Sequence, residues 1–277
     1  LDEPTAALDA WRAAHAAAEA PLPPPPPPVA EALVTVWSGL EGRAALAPDT
    51  RGPEALLVGL PGSGIELVAA IVARLDGSVL LADRLGPDPR VDGLATGEDR
   101  YGGQDATEAQ LFARKYARTL ERLGVPPTLR VVDWIPAFDS RVLLALRETW
   151  GRARVIVVDS DPQLALLNWL AVGTMHRWSA ADTAAATRWV AAAHAHLAVL
   201  DQLSGLDVLR VDAQRLLVEP AVVAGEIAAF LGASTVPGMA YEPPRRVGEM
   251  PVLLPPARVA RYADALAAEF ATLASAG

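Results

Sequence analysis

The sequence predicts an α/β domain, a P-loop-like three-layer fold in which a parallel sheet is flanked by helices, preceded by an N-terminal helix and a polyproline linker. Two observations carry this. Short apolar runs alternate with helix-period segments between about Ala55 and Gly232, the order expected of a parallel sheet with helices on both faces. Within that alternation, Leu56–Val72 breaks at Pro61 and three small residues, then resumes at helical spacing, as a buried strand, a tight loop and a helix would. Glycines in such a loop let the backbone approach an anion, and the free N–H groups of the first helical turn point at it. Against the pattern G-x-x-x-x-G-K-[ST], Gly59 and Gly64 fit, but Ile65 replaces the lysine and Glu66 the metal-binding hydroxyl. The frame of the loop is kept and its charge is missing or inverted.

The elements follow in order. Residues 1–20 read as an Ala-rich N-terminal helix with Leu8, Trp11 and His15 on one face; it also suits the last helix of a helical repeat array, whose period one copy cannot reveal. Residues 21–28 are a polyproline stretch, either a stiff spacer or a ligand for a proline-binding module. The α/β domain then occupies 29–277 and opens with a helix over Val29–Leu46. Strands are expected near Leu56, over Ser78–Asp83, over Leu129–Asp133, over Arg154–Asp159 and over Val208–Val211, with the first lying centrally. Helices are expected from Ile65, over Ala106–Leu123 and Ser140–Trp150, from Asp161-Pro162 to Val172, over Ala180–Leu203, over Val222–Leu231 up to Gly232, and over Arg258–Leu273. Gly86–Gly103 is a Gly-, Asp- and Pro-rich loop. In an open parallel sheet, ligands bind beyond the carboxyl ends of the strands.

Composition narrows the function. The chain has 277 residues, 52% of them hydrophobic, enough to bury a sizeable core. It has no cysteine, which excludes disulfides, zinc-thiolate sites and thiol nucleophiles. A net charge of −9 argues against a nucleic-acid or anionic-membrane surface. No apolar run approaches the roughly 20 residues of a membrane span and no signal peptide is visible, so a cytoplasmic location is expected. His194 and His196, two apart on a helix, point to nearly opposite sides, so no metal is expected there.

At this point the residues resemble the sulfotransferase family, especially bacterial sulfotransferases carried behind tetratricopeptide repeats, which are also similar to tyrosylprotein sulfotransferases. Pro61-Gly62-Ser63-Gly64-Ile65-Glu66 stands where the family has P-R-S-G-T-T after a strand. Asp133-Trp134-Ile135-Pro136 stands for its D-K-x-P, and Asp159-Ser160-Asp161-Pro162 for its strand ending in R-D-P. Eight residues beyond that arginine the family has a serine, and the same offset from Ser160 reaches Asn168. Met175–Ser179, and Val208–Asp212 through Glu219-Pro220 to Gly232, resemble its later segments.

The resemblance implies a fold that binds 3′-phosphoadenosine 5′-phosphosulfate and passes its sulfuryl group to a hydroxyl acceptor. It also implies roles for single residues. Pro61, Gly62, Ser63, Gly64, Ile65 and Glu66 correspond to the 5′-phosphosulfate loop, and Ser160 and Asn168 to the 3′-phosphate site. Asp83 corresponds to the catalytic base, while Trp134 replaces the lysine of D-K-x-P. His176 and Trp178, in a loop near the strand ends, are candidates for contact with a substrate or partner. Every lost charge-assisted hydrogen bond to phosphate removes about 1.5–3 kcal/mol. Two readings follow. One is a degenerate sulfotransferase-like domain serving as a binding or scaffold module for a protein or peptide partner, with oligomerisation open. The other is an active, divergent sulfotransferase. On the first, Gly62→Arg, Ile65→Thr and Glu66→Thr together, with Ser160→Arg if needed, should restore nucleotide binding.

Overall fold

A computed structural model describes residues 3–18, 31–82, 106–135, 138, 141–172, 179–235, 246–247, 250–251 and 253–275. Strand β1 (Ala55–Gly59) is buried along its whole length, as a five-residue run without a charge requires. It pairs in parallel with β3 (Arg130–Trp134) on one side and β4 (Arg154–Asp159) on the other, with Leu57 opposite both Trp134 and Ile156. Strands β2 (Ser78–Ala82) and β5 (Asp207–Asp212) complete the order β2-β3-β1-β4-β5, all parallel. The chain therefore leaves β1 toward β2, and after β3 it crosses β1 to lay down β4. Beyond the carboxyl end of the central strand lies the crevice at which such sheets bind ligands.

Alternation along the strands assigns the layers. Ala55, Leu57, Val132, Ile156 and Val158 face a core shared with helices α3 (Ile65–Val72), α8 (Ala213–Leu216) and α9 (Pro220–Leu231). Leu56, Val58, Val131, Val155 and Val157 face the larger core on the other side. There they meet α1 (Pro4–Ala17), α2 (Glu31–Ser38), α4 (Ala106–Arg122), α5 (Arg141–Trp150), α6 (Pro162–Val172), α7 (Thr183–Ala198), α10 (Arg258–Tyr262) and α11 (Ala267–Ala274). A small antiparallel pair, β6 (Arg246–Val247) with β7 (Met250–Pro251), lies apart from the main sheet.

Several helix limits differ from the sequence reading. Helix α2 stops at Ser38, before Gly39 and Gly42, rather than reaching Leu46. The long helix expected over Ala180–Leu203 starts only at Thr183, where Asp182 accepts from Ala185 N at 2.9 Å, and finishes in a 3₁₀ turn, Val199–Gln202. The terminal helix is two helices, α10 and α11, with Leu266 between them at φ −122°.

Helix α1 is seated in the same core as the sheet. Pro4 starts it, and Ala7, Leu8, Trp11 and His15 form its buried face. Trp11 stacks on Tyr262 of α10 at 5.4 Å, and Arg12 Nε donates to Thr183 Oγ1 at 2.8 Å. Residues 21–28, the polyproline stretch, lie outside the described residues.

One buried polar pair crosses between α4 and the sheet. Tyr116 Oη donates to Asp133 Oδ2 at 2.9 Å, and Asp133 has no exposed surface. Burial, and then the Asp133 carboxylate, push the Tyr116 phenol far above its ordinary value of 10.0. Its contribution to stability is therefore complete below about pH 10, where free tyrosine is protonated, and is lost as pH climbs above that value. In a spectrophotometric titration, Tyr116 is expected to ionise only as the chain unfolds. Tyr116→Phe removes that late transition and costs about 1–3 kcal/mol near neutral pH, because a buried carboxylate loses a donor. A Tyr116 signal titrating near 10 in the folded protein would contradict the contact.

Candidate functional site

The turn from β1 into α3 carries most of the residues the sequence points to. Ser63 N donates to Leu60 O at 3.0 Å, closing the turn, and Leu67 N donates to Gly64 O at 2.9 Å to begin the helix. Both glycines are needed in the left-handed region, with φ of +78° at Gly62 and +85° at Gly64. Pro61, Ser63 and Ile65 are buried, and Glu66 is half-buried in the first turn of α3, where a carboxylate suits the helix dipole.

Helix α6 lies directly against this turn. A Cβ on Gly62 would penetrate Ala165 O and stand 2.5 Å from Trp169 N and 3.0 Å from Asn168 Cβ. Position 62 has no room for a side chain. This crowding stands against the expectation that Gly62→Arg, together with Ile65→Thr and Glu66→Thr, restores nucleotide binding. On the other side of the turn, a Cβ on Gly64 would meet Ala213 Cβ at 2.7 Å and Leu253 Cδ1 at 2.8 Å. Asn168, 2% exposed, accepts from Leu254 N at 2.8 Å through Oδ1, and its Nδ2 is buried without a partner among the described residues. Leu253 and Leu254 thus lie across the turn, tied to α6 by Asn168 and to Gln214, whose Nε2 donates to Leu254 O at 3.4 Å. Loop, Asn168 and the segment at 253–254 form one packed unit.

Beside the turn, over the carboxyl ends of β4 and β5, is a cavity of about 540 Å³ whose walls include Ser63, Asp159, Ser160, Asp161, Gln214 and Asp212. Ser160, half-buried, donates to the adjacent Asp161 O at 3.3 Å. Asp161 opens α6 by accepting from Gln163 N at 2.9 Å and Leu164 N at 3.0 Å, and Asp212 opens α8 by accepting from Gln214 N at 2.8 Å. Asp159 pairs with Arg210 Nη1 at 2.7 Å, and the same guanidinium reaches Asp201 at 2.9 Å. Burial draws Arg210 down, but Asp159 and Asp201 outweigh it and hold the guanidinium above its ordinary value. The cavity is acidic where a phosphate site would be basic.

The structure brings together the loop residues, Asn168 and Ser160. Trp134 ends β3, two strands away from Ser160, and its Nε1 is buried without a partner among the described residues. Asp83, His176 and Trp178 lie outside the described residues. Sequence reasoning did not select Asp159, Asp161 or Asp212 as site residues. A signal for two of them was present, since the runs of β4 and β5 each end in an aspartate, as does that of β3 one residue early at Asp133. Leu253 and Leu254, far away in sequence, had none. Among the described residues no group of His, Asp or Glu side chains is arranged to hold a metal ion, and no helix is long and apolar enough to cross a membrane.

No protein-family model and no curated protein matches the sequence. Among solved structures, the chain is similar to the sulfotransferase domain of the Synechococcus PCC 7002 olefin synthase, at 14% identity and a TM-score of 0.48, over 81% of this chain and 98% of that one. It is similar to a sulfotransferase from Alicyclobacillus acidocaldarius at 14% identity and a TM-score of 0.46, over 81% of this chain and 95% of that one. It is also similar to the sulfotransferase domain of the curacin biosynthetic pathway at 15% identity and a TM-score of 0.38, over 79% of this chain and 99% of that one. These are likenesses of chain path, and they carry nothing about the chemistry of the site.

Proposed function

We propose that this chain is a sulfotransferase-like domain that does not transfer sulfuryl groups and acts instead as a binding module. The observation that carries the reading is the contact at Gly62, where the backbone of α6 fills the space a phosphate-binding side chain would need. Other features agree with it. Ile65 and Glu66 supply neither hydroxyl nor cation to the first turn, and Ser160 supplies no cation at the 3′-phosphate position. Asp159, Asp161 and Asp212 stand beside the turn, where their charge opposes a polyanion. The residues present therefore do not fit 3′-phosphoadenosine 5′-phosphosulfate.

The test is a calorimetric titration with 3′-phosphoadenosine 5′-phosphate, which needs no knowledge of an acceptor. We expect no saturable binding below about 1 mM, equivalent to less than about 4 kcal/mol of binding free energy. Micromolar affinity in the unmodified chain overturns the reading and favours an active, divergent sulfotransferase.

A further inference from the structure

We propose that the solvent face of α4 is a docking surface for a partner protein that presents an acidic helix. This surface is distinct from the turn at Gly62 and does not depend on whether that turn holds a nucleotide. The inner face of α4 is taken up by the fold, since Phe112, Ala113, Tyr116 and Leu120 are buried in the larger core. The outer face carries Arg114, Arg118 and Arg122, each exposed and each four residues from the next. That spacing sets the three side chains in one row, about 6 Å apart along the helix axis. Lys115 and Glu121 flank the row, which leaves the face cationic.

The chain has 33 acidic residues against 24 basic ones, so carboxylates are plentiful. Even so, none of the three arginines forms an ion pair among the described residues. Arg114 Nε donates to Gln110 O at 3.2 Å and Arg122 Nε to Arg118 O at 3.3 Å, both on α4 itself. The Arg118 side chain has no hydrogen-bond partner among the described residues. Like charges at this spacing oppose the helix that carries them, and the fold draws no contact from the row in return. Shape then selects the partner. An exposed helix surface offers no sheet edge, so an extended peptide has nothing there to pair its backbone with. A helix brings its own backbone bonds, and glutamates four apart on it repeat at the same distance of about 6 Å, one for each guanidinium. Leu111, half-buried in the same face, adds an apolar contact. A nucleic acid fits less well, because the row spans about 12 Å and a longer polyanion runs on over a chain of net charge −9. A membrane fits less well too, since Leu111 is the one large apolar side chain in this face.

The probe is a fluorescein-labelled, alanine-based peptide of about 20 residues with glutamate at every fourth position, long enough for an isolated helix to be populated. It is titrated with the whole chain and read by anisotropy, and the same peptide with glutamine for glutamate is the uncharged control. The glutamate peptide should bind saturably below about 1 mM and weaken as salt is raised, and the glutamine peptide should not bind. Arg114→Gln, Arg118→Gln and Arg122→Gln together should weaken the glutamate peptide at least about tenfold. That variant should melt no lower than the parent, since glutamine is a good helix former and a row of like charges is gone. Arg43→Gln, Arg74→Gln and Arg188→Gln remove the same net charge from exposed positions outside α4 and should leave the affinity within about twofold. The proposal is overturned by no saturable binding of the glutamate peptide, by unchanged affinity in the α4 variant, or by an equal loss in the two variants. A melt of the α4 variant more than about 4 °C below the parent also overturns it, because the arginines would then serve the fold. So does a single-stranded oligonucleotide or an anionic phospholipid vesicle that binds the parent more tightly than the peptide in the same buffer.

Discussion

Replacing Gly62 by arginine, alone or with Ile65→Thr and Glu66→Thr, is expected to unfold the domain and not to create a nucleotide site. A non-glycine residue at φ +78° costs about 1–3 kcal/mol before any contact is considered. The Cβ then collides with Ala165 O and Trp169 N, which are backbone atoms of α6 and yield only if the helix moves. Overpacking of this kind adds about 1–3 kcal/mol or more. Ile65, 2% exposed, becomes a buried hydroxyl in the triple variant, for about another 1–3 kcal/mol. The sum is a large share of the roughly 5–15 kcal/mol by which domains are stable. Gly62→Ala isolates the backbone part, because it adds the Cβ alone. A denaturant melt of Gly62→Ala should show a loss of about 2–5 kcal/mol. A melt within about 0.5 kcal/mol of the parent would mean that α6 stands back from the loop, and the case for a filled site would fall with it.

What the sequence made legible was the sheet. Runs such as Val155–Val158 are buried on both faces, and a continuous β-branched run with no polar alternation has few other places to go. Helix ends were less visible. Tyr262, Leu266, Phe270 and Leu273 all face the core, so the apolar period runs on through a stretch where the backbone breaks between α10 and α11. Periodicity reports where side chains must go, and a kinked path can send them there as well as a straight one. The site divided in the same way. The glycine turn is local and can be read directly. Its closure is tertiary, made by Ala165 and Trp169 about a hundred residues away and by Leu253 further still, and neither has a local pattern that announces it. Asp161 was legible as a helix start beside Pro162, whereas Asp212 caps only the single turn of α8, too short for a periodic signal.

The other large effect concerns α1. His15 Nε2 donates to Trp169 O at 3.0 Å and Leu170 O at 3.1 Å, while its Nδ1 accepts from Ala180 N at 3.3 Å. The two carbonyls belong to the last described turn of α6. A side chain from α1 therefore holds two carbonyls of the helix whose middle closes the loop at Gly62. His15→Ala leaves three buried backbone groups without this partner and should cost about 2–4 kcal/mol. Deleting residues 1–18 adds the exposure of what Leu8 and Trp11 cover, at about 1.5–3 kcal/mol for each large side chain. The shortened chain should lose its cooperative melt or aggregate, and His15→Ala should melt between it and the parent. The same deletion decides whether α1 is part of this domain or the end of a separate helical array. A chain starting at residue 19 that melts within about 1 kcal/mol of the parent would assign α1 to the array and free α6 from the role argued for His15.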